Sequence, residues 1–295
     1  MSNADARPTF IADLHRIAGR FDDVLLDQWG ALHDGKQMFP AARDCVARLR
    51  AAGKRVLILS NSGRRAGDNM RRLATLGLAS SAYDGLLTSG EVAWQGLRER
   101  AAPPFDQLGR RCYLITRGSD RSFLDGLDIA ESDDLAIADF ILLAGLDDGR
   151  AEPESWGAIL AAAARRRLPM LCTNPDLTMF GTGGLLPAPG AVAALFHSLG
   201  GQVHYIGKPF APMFAAALRE LGCPTPKRTL VIGDSLDHDI LGGRRAGMLT
   251  ALISSGVHAA ELGDSNEGAA LIEGVRRRAA DDEHVPDWVI PRLAW

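Results

Sequence analysis

The sequence has no basic excess, few lysines, no paired cysteines and no long uncharged run. Its 33 basic residues stand against 36 acidic ones, a formal net charge of -3. That balance argues against a nucleic-acid partner, whose binding draws on a basic surface that releases counterions from phosphates. The four cysteines (Cys45, Cys112, Cys172, Cys223) are scattered. They form neither a zinc spacing nor a disulfide framework, so a reducing, cytoplasmic setting is expected. No uncharged stretch approaches the roughly 20 residues a membrane helix needs. Asp5 precedes any apolar run, so neither a signal peptide nor a membrane partner is expected. Only Lys36, Lys54, Lys208 and Lys227 are lysine, and the rest of the basic residues are arginine. Chemistry that requires an ammonium group therefore has four candidates.

What is present is an alternation. Short continuous apolar runs, the pattern of strands buried on both faces, are separated by helical stretches. The runs are VLL in DDVLLDQWG (22–30), RVLILSN (55–61), GLLTSG (85–90), RCYLIT (111–116), DFILLAGL (139–146), PMLCTN (169–174), VHYIGK (203–208), TLVIGDS (229–235), LTALISSG (249–256) and DWVIP (287–291). Helices are expected over 11–21, 41–52, 66–76, 153–167, 188–199 and 212–221, with a charged, solvated one over 267–283. The glycine-rich GTGGLLPAPG (181–190) lacks a dinucleotide-binding spacing and reads as a turn before a helix. Such alternation predicts an α/β protein with mainly parallel sheets, in two α/β units.

In open parallel sheets, ligands bind at the carboxyl ends of strands. The apolar runs here end in Asp27, in Ser60 followed by Asn61, in Lys208, and in Asp234 with Asp237 and Asp239 close behind. Each alone could cap a helix. Together they supply what phosphoryl transfer to a carboxylate needs: a nucleophile, neutral donors, an ammonium, and carboxylates for a hard cation such as Mg2+.

The stretches DQWGALHDG, LSNSGRRA, GKP and GDSLDHDI resemble, in order, the four motifs of the haloacid dehalogenase (HAD) superfamily. The long interval between Ser60 and Lys208, with TSGEVAW, ADFILLAGLD, TNPD and AGMLTALISSGV, resembles subclass IIA, the NagD-like and pyridoxal-phosphatase-like enzymes. The resemblance implies a Rossmann-like parallel-sheet core (1–85 and 200–295) with an inserted α/β cap (86–199). It implies Asp27 as nucleophile and metal ligand, Ser60 and Asn61 as phosphate-binding residues, and Lys208 as anchor of nucleophile and phosphate. Asp234 and the backbone carbonyl of Trp29 would be metal ligands, and Asp239, rather than Asp237, the supporting acid. The function implied is Mg2+-dependent phosphatase action on a small phosphorylated metabolite, such as a sugar or cofactor phosphate, through an aspartyl-phosphate. Related capped enzymes are often homodimers.

One position departs from the pattern. HAD phosphatases carry a second aspartate two residues after the nucleophile, and here that residue is Trp29. Indole neither donates nor accepts the required proton, which puts an acid–base contribution of ~10²–10⁴ at issue. Three substitutes are conceivable: His33 or Asp34 in the same loop, Asp176 or an arginine near it in the cap, or a leaving group that needs little protonation. His33, Arg64 and Asp176 are also candidate substrate contacts. For His33, an ordinary loop role is the favoured reading. A Schiff-base phosphonatase is disfavoured, because residues 61–207 contain no lysine. The alternative from another functional class is a phosphometabolite-binding or regulatory module that kept the pocket and lost turnover.

Overall fold

The structure is a computed structural model that describes residues 8–181, 184–222, 225–262 and 267–295. Cys223 lies outside them, and Cys45, Cys112 and Cys172 are buried and free. The chain divides into two compact units. The first comprises Met1–Ser60, Asn69–Leu87 and Lys208–Trp295, and the second Asn61–Asp68 and Thr88–Gly207.

The first unit is built on a seven-stranded sheet. Across it the strands run Thr9–Phe10, Trp288–Ile290, Leu249–Ile253, Thr229–Gly233, Asp23–Asp27, Arg55–Ser60 and Gly85–Thr88. Its central pairings are parallel, Val24 lying against both Val56 and Leu230. Val24, Leu25, Leu26, Val56, Leu57, Ile58, Leu230 and Ile232 have no exposed surface. Burial on both faces explains why these strands read as unbroken apolar runs rather than as alternations. Successive strands step outward in opposite directions from the boundary between Asp23–Asp27 and Thr229–Gly233. That boundary is the switch point in strand order, where the carboxyl ends leave a crevice.

The second unit has a five-stranded sheet, ordered Val203–Tyr205, Met170–Cys172, Phe140–Leu143, Arg111–Ile115, Ala130–Glu131, with all pairs parallel. Ile141, Leu143, Leu160, Met170 and Phe196 form its buried core. Both units are therefore α/β with parallel sheets, as the alternation predicts.

Several elements differ from the sequence expectation. Val203–Tyr205 pairs with Met170–Cys172, so the chain returns to the first unit at Lys208 rather than at residue 200. Residues 61–68 likewise cluster with the second unit. The opening helix is a 3-10 helix, Leu14–Arg20. Residues 153–167 open with a 3-10 turn, Pro153–Trp156, before the α-helix Gly157–Arg165. The glycine-rich stretch contributes an antiparallel hairpin, Thr178–Gly181 with Gly184–Pro187, where a turn was expected. The charged helix Gly268–Arg278 is not solvated all round, since it buries Leu271 and Val275 against Leu252 and Val289. Among the described residues no helix is long and apolar enough to cross a membrane.

Leu26 is fully buried in the central strand, one residue before Asp27. Leu26→Ala should cost about 2–5 kcal/mol through lost burial and the cavity left behind, measured by denaturant unfolding of the whole chain.

Candidate active site

The central strand of the first unit, Asp23–Asp27, ends in Asp27. The neighbouring strand Thr229–Gly233 delivers Asp234 across the switch point, directly after its last residue. A single π-type turn, Leu236–Ile240, follows and brings Asp239 back toward the strand end. Carboxylate oxygens of Asp27, Asp234 and Asp239 all lie within 4.8 Å of one another, and all three residues are buried.

Lys208 closes this cluster. Its Nζ donates to Asp239 Oδ1 at 2.7 Å and also to Asp27 Oδ1. The sequence reading puts Lys208 at the end of a strand beside the others. Here that strand belongs to the second sheet, and Lys208 lies three residues beyond it, where the chain re-joins the first unit. Asp237 turns elsewhere and pairs with Arg278.

Three buried carboxylates with one buried ammonium leave an excess of negative charge, and the electrostatics reflect it. Burial, reinforced by the neighbouring carboxylates, raises Asp27 well above the usual range despite Lys208. Burial and then the charge of Asp239 raise Asp234 to about 6, although the Val257 N–H donates to its carboxylate at 2.8 Å. Burial alone would lower Lys208, but the carboxylates of Asp239 and Asp27 outweigh it and hold the ammonium well above the ordinary lysine value. An all-oxygen, charge-rich donor set of this kind fits a hard divalent cation such as Mg2+. Gly30 shows how closely the backbone approaches. It has φ +73°, and a Cβ there would lie 1.9 Å from Asp234 Oδ2. Only glycine permits both the conformation and the contact.

The loop after Asp27 holds the departure from the HAD pattern. Trp29 is 41 % exposed and lies across Gly35, where a Cβ would meet its Cη2 at 2.1 Å. His33 is fully buried and packs edge-on against the Trp29 ring at 5.2 Å. The Gly35 N–H donates to His33 Nδ1 at 2.9 Å, which leaves the proton of the neutral ring on Nε2. That nitrogen faces the Gln28 side-chain amide at 3.0 Å. With the amide oxygen turned toward it, the ring is fully bonded and the buried Gln28 Oε1 gains its partner. Burial, then the charge of Arg72, pushes His33 down to about 4. Asp34 accepts from the backbone N–H groups of Lys36 and Gln37, both at 2.8 Å. These bonds to Gln37 and Lys36 hold its carboxyl below the usual range. Both acid–base candidates in the loop are thus committed to shaping it. No signal in the sequence marks Gln28, which completes the arrangement.

Ser60 ends the strand beside Asp27 and is buried in the first unit. Asn61, the next residue, clusters with the second unit, where its amide donates to Asp176 Oδ1 at 2.7 Å. Arg64 has an exposed side chain, and its backbone carbonyl accepts from Thr88 Oγ1 at 2.5 Å. Arg65 pairs with Glu91 at 2.7 Å and stacks over Trp94 at 3.6 Å, a packing arrangement within the second unit.

Known proteins match this chain throughout. Residues 24–130 and 84–247 match models described as haloacid dehalogenase-like hydrolase, and residues 205–295 one described as HAD-hydrolase-like. Chronophin of Mus musculus is 32% identical over 257 residues, covering 85% of this chain and 86% of that one. Ribonucleotide monophosphatase NagD of Escherichia coli (strain K12) is 26% identical over 249 residues, covering 82% of this chain and 91% of that one. A solved haloacid dehalogenase-like hydrolase from Brucella suis 1330 superposes with a TM-score of 0.79 at 28% identity, covering 97% of this chain and 100% of that one.

Two measurements follow from the charge cluster. Removing the ammonium by Lys208→Met leaves buried carboxylates uncompensated and should cost about 3–5 kcal/mol at neutral pH. Part of that loss should return in mild acid as Asp27 takes up a proton, which unfolding titrations at two pH values would show. The second concerns Asp234. Its folded value of about 6 lies above the unfolded 3.8, so the folded chain binds more protons between them. Its contribution to cation-free stability is fully present below the unfolded value and lost as pH rises through the folded one. A divalent cation held there would displace that proton, so any rise in Tm on adding Mg2+ should be small near about pH 5 and larger near about pH 7.5.

Proposed function

Because the chain belongs to the haloacid dehalogenase-like hydrolases, in the NagD-like subclass IIA, we propose that it is a Mg2+-dependent phosphomonoesterase of small phosphorylated metabolites, with Asp27 as the nucleophile. The observation that carries this reading is the Lys208 ammonium bonded to both Asp27 and Asp239 beside Asp234, at the switch point of the sheet.

Asp27, Asp234 and the backbone carbonyl of Trp29 would hold the cation, which screens the nucleophile's charge from that of the phosphate when bound. The pinned ammonium orients the Asp27 carboxylate and offers positive charge to the transferring oxygens. Ser60 donates a neutral hydrogen bond to the same oxygens. An Asp27 oxygen bonds to phosphorus as the bond to the substrate oxygen breaks, giving an acyl phosphate. Water then attacks that phosphorus, releasing phosphate and restoring the carboxylate. Relatives that bear phosphatase names favour this reading over a binding module without turnover.

The test is phosphate release with Mg2+ from acetyl phosphate and para-nitrophenyl phosphate as well as sugar, cofactor and nucleoside monophosphates, beside Asp27→Asn. The substitution should reduce release at least about 10³-fold. Since it replaces a carboxylate whose burial is unfavourable with a neutral amide, Tm should not fall. Equal release by the two proteins would overturn the reading.

A further inference from the structure

Around Asp27 in the first unit, none of the groups described is placed to pass a proton. The Trp29 indole has an N–H but no basic lone pair, and its acidity is far too low for transfer. His33 is fully buried with both ring nitrogens engaged, one by the Gly35 N–H and the other by Gln28. The Asp34 carboxylate is held by two backbone N–H groups of its own turn. Lys208 is bonded to two carboxylates, which keep its proton in place. The Asp239 carboxylate accepts from Lys208 at 2.7 Å, and Asp234 accepts from the Val257 N–H at 2.8 Å.

We propose, resting on the phosphatase reading above, that Trp29 makes this a site for phosphoryl donors whose leaving group departs as a stable anion. Acyl, enol and aryl phosphates are of that class, and alkyl esters are not. In the first step the Asp27–phosphorus bond forms while the phosphorus–oxygen bond to the leaving group breaks. The electron pair stays on the departing oxygen, which takes any proton it needs from solvent. In the second step the oxygen of water bonds to phosphorus, the Asp27–phosphorus bond breaks to return the carboxylate, and the proton of water passes to solvent. Without a base in place this step is slow, so phosphorylated Asp27 accumulates. Trp29 is a specificity-determining residue by what it withholds. Its seat over Gly35 and against His33 shows that the loop is built around the ring rather than merely tolerating it.

The experiment uses the full chain with Mg2+ and a graded series: acetyl phosphate, dinitrophenyl, para-nitrophenyl and phenyl phosphate, and glycerol phosphate as the alkyl end. For the wild type, kcat/KM should fall steeply with the basicity of the leaving group. Acid-quenched intact mass should show one phosphoryl group on much of the enzyme during turnover of the best donors. Trp29→Asp should raise the rate on glycerol phosphate relative to acetyl phosphate by about 10²–10⁴ and lower the phosphorylated fraction. Trp29→Asn loses the same ring contacts without gaining an acid, and it should keep the wild-type slope. If neither variant folds, the wild-type slope and adduct decide. A flat wild-type slope, or rapid release with no adduct, would overturn the inference while leaving the phosphatase reading intact. No release and no adduct from any donor would overturn that reading and this inference with it.

Discussion

The bond from the Lys208 ammonium to Asp27 and Asp239 is the interaction on which the site depends. It ties Lys208 to Asp27, 181 positions away at the end of the central strand, and to Asp239, 31 positions away in the turn after the adjacent strand. Three buried carboxylates within 4.8 Å would repel one another without it. Desolvation of each charge costs several kcal/mol, and only close pairing offsets such a cost. Burial raises Asp27 and Asp234, and the neighbouring carboxylates that a single ammonium cannot neutralise add to it. Folding thus leaves an excess of negative charge at the switch point, which a divalent cation would complement. The same imbalance that weakens the cation-free fold would favour a bound divalent cation, a trade common at functional centres.

The residues of this cluster were legible in the sequence because parallel strands buried on both faces read as apolar runs. A polar residue that ends such a run must therefore lie at a sheet edge facing a crevice. Asp27, Ser60 and Asp234 follow directly from that rule. Lys208 follows it only in appearance. The run that precedes it belongs to the other sheet, and both sheets are written in the same pattern, so periodicity cannot say which one a strand joins. The assignment of Asn61 suffers in the same way. It lies one residue past a core strand, yet its amide is held by Asp176, a partner 115 positions away that no local signal marks.

The loop from Gln28 to Met38 was least legible, because its order rests on tertiary hydrogen bonds rather than on propensity. As a sequence, His33 and Asp34 four and five positions past Trp29 look like spare acids. In the fold they are the clasps of the turn: Asp34 gathers two backbone N–H groups and His33 a third, while Gln28 fills the last ring nitrogen. Burial and the charge of Arg72 depress the value of His33, and the Gly35 N–H on Nδ1 suits the same neutral ring.

That clasp bears on chemistry as well as on folding. A carboxylate at position 29 would need room and solvation near Asp27, where three carboxylates already compete for one ammonium. An indole adds no charge to that cluster, and its ring instead covers the α-carbon of Gly35 and the edge of His33. The loop therefore gains packing where an acid would add repulsion. On the proposed reading the consequence would fall on the substrate, since a proton the protein does not supply must be one the leaving group can do without. The electrostatic economy that lets the cluster remain buried and the proposed range of esters would in this way be two results of one side chain.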